Sequence, residues 1–315
     1  MNTRPTALRR PSRVGRRSPW ACARISAHWL RPVGVERTLI VQPPQPILVV
    51  NLFPEILDAL LSLLGDLSAD AWQRPTACPG WSVKDVALHL LGVEVGNLSR
   101  RRDGQAVAGP ITSWEELVTF VNDFNEAWVQ AARRMSPRLV IDVLQCTGLQ
   151  MCAFFRSLSP YAIGDSVSWV GPEPAPIWLD LAREYTERWV HQQQMRDAVG
   201  KPGLKQPRYF APVLAAFMRA LPRAFRATSA AEGTVVTLTI SGESDGQWSV
   251  RQEGGAWRLY EGAADRRDAE VLVDEEIAWR LCTRGLSQEQ AREQVTFIGD
   301  QSLAAKVFEM VSIIA

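Results

Sequence analysis

Hydrophobic residues recur every three or four positions over most of residues 51–227, and this spacing predicts a series of amphipathic helices. The helices are expected at about residues 51–64, 82–99, 113–135, 136–154, 178–199 and 211–227, the last with an interruption at Pro222. Ser82 can cap the second helix, and Gly200 is suited to end the helix that starts near Trp178. The proline-rich stretch 159–176 is predicted to be a loop.

The periodicity changes after Gly233, where β-branched and polar residues alternate as they do in strands. Strands are expected at about 234–241, 247–252, 256–261 and 269–274, and helical stretches at about 275–284 and 300–314. Gly254 and Gly255 indicate a tight hairpin turn. The predicted fold class is α + α/β. We divide the chain into a leader over residues 1–46, a helical bundle over 47–228 and a small mixed α/β domain over 229–315.

Charge is distributed unevenly along the chain. The formal net charge is +1, yet residues 1–45 contain nine arginines and a single acid, Glu36. The remainder is therefore mildly acidic and offers no broad attraction for nucleic acid, so no nucleic-acid partner is expected. The composition of the leader is typical of disordered segments. There are two alternatives to a disordered leader without a function. The leader could bind an anionic partner, or it could result from a start codon assigned too far upstream.

Two observations bear on the cellular compartment. No run approaches the roughly 20 consecutive apolar residues that a membrane-spanning helix needs, so no membrane association is expected. The five cysteines are scattered and include no Cys-x-x-Cys pair, which argues against a disulfide framework and favours a reducing compartment. We therefore predict a cytoplasmic protein.

Three polar residues are candidate metal ligands. His89 lies midway along the second helix, and Glu187 and His191 lie one turn apart on one face of the long helix. Two imidazoles and a carboxylate suit Zn²⁺, Ni²⁺ or Fe²⁺ and leave a coordination position for water or substrate. From spacing alone the alternatives are a solvated Glu187–His191 pair, which points away from the apolar stripe of its helix, and a buried structural His89.

Two segments resemble the signatures of a known family. The first reads RPTACPGWSVKDVALHL and covers residues 74–90, and the second reads EYTERWVHQQQMRDA and covers residues 184–198. Both resemble the mycothiol-dependent maleylpyruvate isomerase family, which belongs to the DinB-like metalloenzyme superfamily. The region from Thr234 to the Gly299-Asp300 turn resembles the sterol-carrier-like domain that is often appended in this family.

The resemblance implies a DinB-like four-helix bundle with one divalent ion, usually zinc, held by His89, Glu187 and His191. It also implies a cofactor, mycothiol or a similar low-molecular-weight thiol, that becomes a nucleophilic thiolate at the metal. In the reaction that names the family, the thiolate adds to the cis double bond of maleylpyruvate. The resulting single bond rotates, and loss of the thiol leaves the trans isomer. Irreversible S-transfer of the thiol to a small electrophile is the alternative reaction.

Five further residues are weaker candidates. Cys78 could be a fourth ligand or a nucleophile, although a packed turn cysteine explains it more simply. Arg188 and Arg196 could hold an anionic substrate through paired hydrogen bonds, and ordinary ion pairing is the alternative. Trp81 and Trp189 each lie close in sequence to a proposed ligand and are candidates for the pocket walls.

The main alternative to an enzyme is a binding module. In that hypothesis the metal only stabilises the bundle, and the protein serves as a non-catalytic ligand-binding or regulatory module whose C-terminal domain holds an apolar molecule. Binding of mycothiol, and reaction with maleylpyruvate or simple electrophiles, would separate the two hypotheses.

Overall fold

The structure is a computed structural model that describes residues 41–105 and 113–310. Residues 1–40 of the predicted leader lie outside the described residues, and the expectations for them stay predictions. The described chain begins with a helix-rich part and continues into a mixed β-sheet. This arrangement confirms the predicted α + α/β fold class.

The helix-rich part follows the predicted pattern closely. Its helices are α1 (Phe53–Gly65), α2 (Ala69–Trp72), α3 (Val83–Asn97), α4 (Trp114–Ala132), α5 (Pro137–Ser157), α6 (Ile177–Val199), α7 (Pro207–Met218) and α8 (Leu221–Ala224). Ser82 and Asp85 form a reciprocal capping box that begins α3. Gly200 takes the left-handed conformation that ends α6. Local side-chain chemistry therefore sets the ends of the two helices that matter most below.

Helices α1, α3, α5 and α6 pack on one another around an apolar interior. Phe155 of α5 and Tyr185 of α6 are fully buried in one apolar cluster, and Leu88 of α3 is fully buried in a second. Helix α4 packs mainly on α3 and exposes most of its surface. Each of α3 and α6 is thus held from several sides, which fixes the spacing between them.

A small antiparallel pair and a larger sheet make up the β-structure. The pair is β1 (Ile163–Ser166) with β2 (Pro174–Pro176), inside the stretch that was expected to be a loop. The sheet strands are β3 (Val235–Ser241), β4 (Gly246–Glu253), β5 (Ala256–Glu261), β6 (Ala269–Asp274) and β7 (Thr296–Gly299), in the order β5-β4-β3-β6-β7. Strands β3 and β6 are parallel, and the other neighbours are antiparallel. Three short helices complete the chain, α9 (Glu275–Cys282), α10 (Gln288–Arg292) and α11 (Gln301–Ala304).

One apolar core joins the helices to the sheet. Val236, Leu238 and Ile240 line the face of β3 that belongs to the same buried cluster as the interior of α1, α5, α6 and α7. Trp189 of α6 meets Trp279 of α9 edge to face, with ring centroids 5.5 Å apart. The proposed boundary near residue 228 falls between α8 and β3, and the core is continuous across it.

The C-terminal end differs from the predicted helix over 300–314. Helix α11 is short and continues as a 3₁₀ turn over Ala305–Glu309, and residues beyond 310 lie outside the described part. Val307, Phe308 and Met310 are all buried at this end of the chain. Helices α2 and α10 and strand β7 were not predicted, because each is too short to show a clear periodicity.

The start of the described part of the chain also differs from the prediction. Gln42 lies inside the predicted leader, yet it pairs in antiparallel fashion with Glu261 at the end of β5. The Gln45 carbonyl accepts a hydrogen bond from Arg219. Residues 41–46 therefore belong to the folded body, and the expectation of disorder is wrong for them.

Helix α5 is long and apolar enough, by length and composition alone, to cross a membrane, and it is the one such helix in the described part of the chain. One-third of that stretch is buried inside the protein. A single helix of this kind is weak evidence for a membrane span, because core helices of other proteins have the same composition.

The contact between α3 and α4 depends on a glycine, Gly92, which has no side chain. A methyl group on Gly92 of α3 would lie 2.6 Å from Trp128 of α4, whereas a methyl group on Gly96 would meet nothing within 4 Å. The Trp128 indole cannot easily withdraw, because its Nε1 donates to the Leu88 carbonyl oxygen at 2.8 Å. We expect Gly92→Ala to lower the free energy of unfolding by about 1–3 kcal/mol through overpacking.

Gly96→Ala is the matched control in the same helix. It should raise the free energy of unfolding by up to about 1 kcal/mol, because alanine is the better helix former. Urea denaturation followed by circular dichroism measures both changes. Equal stability changes in the two variants would contradict the packing proposed for Gly92.

Candidate metal centre

Helix α3 places His89 two turns after a well-defined start. The loop before it is closed by a backbone pair between Pro75 and Ser82, and the Thr76 hydroxyl donates to the Trp81 carbonyl oxygen at 2.9 Å. The capping box then sets the first turn of the helix. His89 is 4% exposed and faces α6.

Helix α6 presents Glu187 and His191 on the face that meets α3. The simplest reading of the sequence would leave this face in solvent, since the apolar stripe of α6 lies opposite. In the structure α6 is buried nearly all round, because α3 and the loop before it cover the polar face while α7 and α9 cover the apolar one. The Glu187–His191 pair is therefore not a solvated surface pair.

The three candidate ligands converge on one point. His89 Nε2 lies 2.9 Å and His191 Nε2 lies 3.2 Å from the same oxygen, Oε1 of Glu187. The donor atoms of all three residues lie within 4.8 Å of one another. The two imidazole rings are 4.7 Å apart and nearly perpendicular. Residues that are 98 positions apart in sequence thus form one compact polar cluster.

Burial and charge shift the pKa values of this cluster in opposite directions. Burial lowers the pKa of His89, although its hydrogen bond with Glu187 opposes the effect. Burial opposes the charged form of His191 too, but the neighbouring Glu187 carboxylate outweighs it and raises the pKa of His191. The same two histidines hold the pKa of Glu187 well below its ordinary value in spite of its burial. The carboxylate is therefore ionised at neutral pH, and it attracts a cation.

The cluster has the donor chemistry of a divalent transition-metal site. Nitrogen and oxygen ligands lie about 2.0–2.2 Å from Zn²⁺, so neighbouring donors around a tetrahedral ion are roughly 3.3 Å apart. The two nitrogen-to-oxygen distances at Glu187 are close to this spacing. Two imidazoles with one carboxylate suit zinc, nickel or ferrous iron. His89, Glu187 and His191 are thus the residues that could hold an ion.

Trp81, Cys78 and Gln194 surround the cluster. The Trp81 ring lies 5.2 Å from the His89 ring, and its Nε1 donates to Glu126 of α4 at 2.8 Å. The Cys78 thiol donates to Gln194 Oε1 at 3.1 Å and lies 4.0 Å from His191 Nδ1. Cys78 is therefore beside the cluster, on the side of His191 that faces away from Glu187.

Three residues predicted to line the site have their contacts elsewhere. Arg188 is buried, and it donates to Glu184. Arg196 donates to the backbone carbonyls of Ala59 and Pro202. Trp189 stacks on Phe210 at 4.7 Å and donates to the Leu204 carbonyl. The contacts of Arg196 and Trp189 lie inside the protein and do not favour roles in binding substrate, and Trp189 lies about half a turn away from both ligands on α6. Arg188 is engaged through Nη1, whereas its buried Nη2 has no hydrogen-bond partner among the described residues.

Gln194 and Glu126 were missed by sequence reasoning. Gln194 lies three residues after His191 in the second signature segment, and that spacing places both on one helix face. It could have been found from the sequence. Glu126 lies on α4, whose position against α3 only the fold determines, so nothing in the sequence pointed to it.

A second buried polar group lies deeper among the helices. Glu184 is 1% exposed, and the surrounding guanidinium groups of Arg183, Arg188 and Arg101 hold its pKa below its ordinary value despite its burial. Glu94 of α3 is 4% exposed and accepts a hydrogen bond from the Thr147 hydroxyl. Burial raises the pKa of Glu94 to about 7.

The fold and the cluster together define a helical protein with a candidate metal site between two of its helices. Comparison with known proteins identifies the domain: residues 53–196 match the family described as the mycothiol maleylpyruvate isomerase N-terminal domain. This segment matches that family model, and it contains all three candidate ligands. The resemblance drawn from the two signature segments is confirmed.

Relatives of the longer chain include uncharacterized proteins of Mycobacterium tuberculosis. Proteins of the strains CDC 1551 / Oshkosh and ATCC 25618 / H37Rv are each 27% identical over 214 residues, which cover 66% of this chain and 78% of theirs. These relatives extend the similarity beyond the N-terminal domain, because 214 residues exceed the length of the segment 53–196.

Solved structures give more distant similarities. A crystal structure of the mycothiol-dependent maleylpyruvate isomerase aligns with 12% identity and a TM-score of 0.46, covering 79% of this chain and 90% of that chain. A sterol carrier protein 2-like 2 from Aedes aegypti aligns with 20% identity and a TM-score of 0.25, covering 30% of this chain and 93% of that chain. The sterol-carrier-like assignment of the C-terminal part stays a prediction.

The raised pKa of Glu94 makes stability depend on pH. The folded protein keeps this proton until about pH 7, whereas the unfolded chain loses it near pH 4.5. Folding therefore takes up a proton between these values, and the free energy of unfolding should fall as the pH rises through this window, by about 3 kcal/mol from this group. We expect Glu94→Gln to remove this component.

Urea denaturation at several pH values from 4.5 to 8 measures the difference between wild type and variant. Glu173→Gln, which changes an exposed carboxylate, is the control and should leave the profile unchanged. A constant difference between the Glu94→Gln and wild-type profiles across this range would contradict the shifted titration.

Proposed function

We propose that this protein is a zinc-dependent, cytoplasmic enzyme that uses mycothiol or a similar small thiol to isomerise a maleylpyruvate-type substrate. The observation that carries the proposal is the convergence of His89, Glu187 and His191 within 4.8 Å, inside a domain of the mycothiol maleylpyruvate isomerase family. The reducing compartment is supported by the cysteines: within the described part of the chain, Cys78, Cys146 and Cys152 are free thiols.

The three residues would hold zinc with two neutral imidazoles and one carboxylate. Such a ligand set leaves the ion a net positive charge, and a bound zinc ion supplies Lewis acidity that makes a small thiol a thiolate near neutral pH. Glu187 is already ionised in its surroundings, so it is ready to bind a cation without losing a proton.

The surrounding residues shape the place where a thiol and its substrate would meet. Trp81 lies against His89 and supplies an apolar wall that limits the access of water. Its hydrogen bond to Glu126 fixes the indole in position. The partial exposure of Glu187, whose side chain is 20% accessible, leaves the cluster open to a small molecule on that side.

We prefer isomerisation to S-transfer because the reaction in the family name regenerates the thiol. Addition to a cis double bond, rotation and elimination leave no net change in the thiol, whereas S-transfer consumes one thiol for each substrate. The ratio of thiol to product is therefore the quantity that separates the two reactions.

Metal content tests the proposed site directly. We expect about one zinc ion per chain in protein purified without chelators, measured by elemental analysis. His191→Ala and Glu187→Gln should each lose most of this metal, because a site with two remaining ligands binds zinc weakly. Both variants should keep the helical circular dichroism of the wild type.

Glu115→Gln is a matched control for the second variant. It makes the same chemical change at an exposed position in the first turn of α4 and should retain the metal. A fully folded wild-type chain that binds no divalent ion, even after incubation with zinc, would overturn the proposed site.

Turnover with a limiting thiol tests the reaction. With mycothiol at a tenth of the maleylpyruvate concentration, we expect complete conversion to the trans isomer, followed by proton NMR of the vinyl hydrogens. A reaction that stops when one thiol has been consumed per product would identify an S-transferase instead. Zinc-loaded protein that neither binds the thiol nor converts either class of substrate would favour the non-catalytic binding module.

A further inference from the structure

Gln194 contacts the candidate ligand His191, although Gln194 is not itself one of the three candidate ligands. Its side-chain oxygen Oε1 lies 2.8 Å from His191 Nδ1 and 3.1 Å from the Cys78 sulfur. In this orientation of the amide its carbonyl oxygen faces both groups, and a carbonyl oxygen can only accept hydrogen bonds. Nδ1 of His191 must therefore carry a proton.

The position of this proton decides which nitrogen His191 can offer. Nε2 is the atom that faces Glu187 and His89, at 3.2 Å from Glu187 Oε1. A histidine binds a metal through a nitrogen that carries no proton, so holding the proton on Nδ1 leaves Nε2 to bind the ion. The Cys78 sulfur lies farther from Nδ1, at 4.0 Å, so Gln194 makes the shorter of the two contacts to this nitrogen.

The two histidines differ in this respect. Among the residues that the structure describes, His89 Nδ1 has no hydrogen-bond partner, and the His89 ring is placed by its contact with Trp81 and by Glu187. Of the two, His191 is the one with a hydrogen bond to a described residue on the far side of its ring. The loss of Gln194 should therefore act on His191 alone.

We propose that Gln194 is a positioning residue, which fixes the ring orientation and the Nδ1 proton of His191 and so presents Nε2 to a divalent cation. Cys78 contributes indirectly: its thiol donates to the same oxygen and helps to hold the amide in place. The inference rests on the proposed function, since it concerns the same site, but it concerns a residue outside the ligand set.

The experiment compares Gln194→Leu, Gln194→Glu and the wild-type protein. Leucine fills a similar volume without an acceptor, and glutamate restores an oxygen that can accept from Nδ1. We expect Gln194→Leu to weaken zinc binding 10- to 100-fold in a competition titration with a chromophoric chelator, which is the effect typical of losing such an outer hydrogen bond. Gln194→Glu should stay within about threefold of the wild type.

Gln145→Leu is the matched control. It makes the same change at an exposed position of α5, and its zinc affinity should equal that of the wild type. Thermal unfolding of all variants separates a local effect from a loss of the fold. Wild-type affinity in Gln194→Leu, or an equal loss in Gln194→Leu and Gln194→Glu, would overturn the proposal.

A second readout is independent of metal binding and of activity. In protein labelled with ¹⁵N-histidine, the ring N–H of His191 at Nδ1 should be protected from exchange and visible in a proton–nitrogen correlation spectrum. The chain has three histidines, so the signals can be assigned with single variants. The protected signal should disappear in Gln194→Leu and persist in Gln194→Glu.

The same measurement distinguishes a failure of the proposed function from a failure of the role proposed for Gln194. A wild-type protein that binds no zinc but shows the protected Nδ1–H would overturn the proposed function and support the role of Gln194 in orienting His191. A wild-type protein that binds zinc without a protected Nδ1–H would overturn the role of Gln194 and leave the proposed function standing.

Discussion

The partly buried carboxylate of Glu187 is the group on which the site depends. A carboxylate in the interior of a protein needs compensation, and two imidazoles from different helices supply it within 3.2 Å. This requirement ties α3 to α6 at one point, so neither helix can slide without leaving a charge unpaired. The contact that holds the two helices in register is the same contact that could bind a metal ion.

The rest of the fold keeps this point rigid. Helix α6 is enclosed by α3 on its polar side and by α7 and α9 on the side of Trp189. Salt bridges from Arg280 to Asp197 and from Lys205 to Glu276 join α9 to the end of α6 and the segment after it. The C-terminal sheet and its helices therefore support the helix that carries two of the three candidate ligands. That support gives the C-terminal part a structural role, whatever it binds.

Glu184 and Glu94 are both buried inside the bundle, and their burial is compensated in different ways. Glu184 stays charged because arginine side chains surround it, whereas Glu94 has a hydroxyl partner and a raised pKa. Glu187 resembles Glu184 in being ionised, but its partners are histidines, which can also bind metals. Among the residues that the structure describes, the cluster of Glu187 is the one that combines a stable negative charge with neighbours able to bind a metal.

Much of the architecture could be predicted from local patterns. The apolar periodicity located the long helices, and the alternation after Gly233 located four of the five strands of the sheet. Ser82 and Gly200 located helix ends. Each of these signals comes from residues that are close together in sequence. The short elements α2, α10 and β7 could not be found in this way, since a few residues carry too little periodicity. The pairing of Gln42 with Glu261 could not be found either, because the two residues are far apart in the chain.

The sequence by itself determined the helix-then-sheet order, the candidate ligands and the family resemblance of residues 53–196, because these depend on short spacings and on two contiguous signature segments. Only the tertiary structure decided that the polar face of α6 is covered, that Arg188, Arg196 and Trp189 have their contacts elsewhere, and that Gln194 contacts His191 from behind. The physical reason is that burial and side-chain partnership arise from contacts between distant segments. A spacing of four residues places two side chains on one helix face, but the packing of another helix determines whether that face meets water or His89.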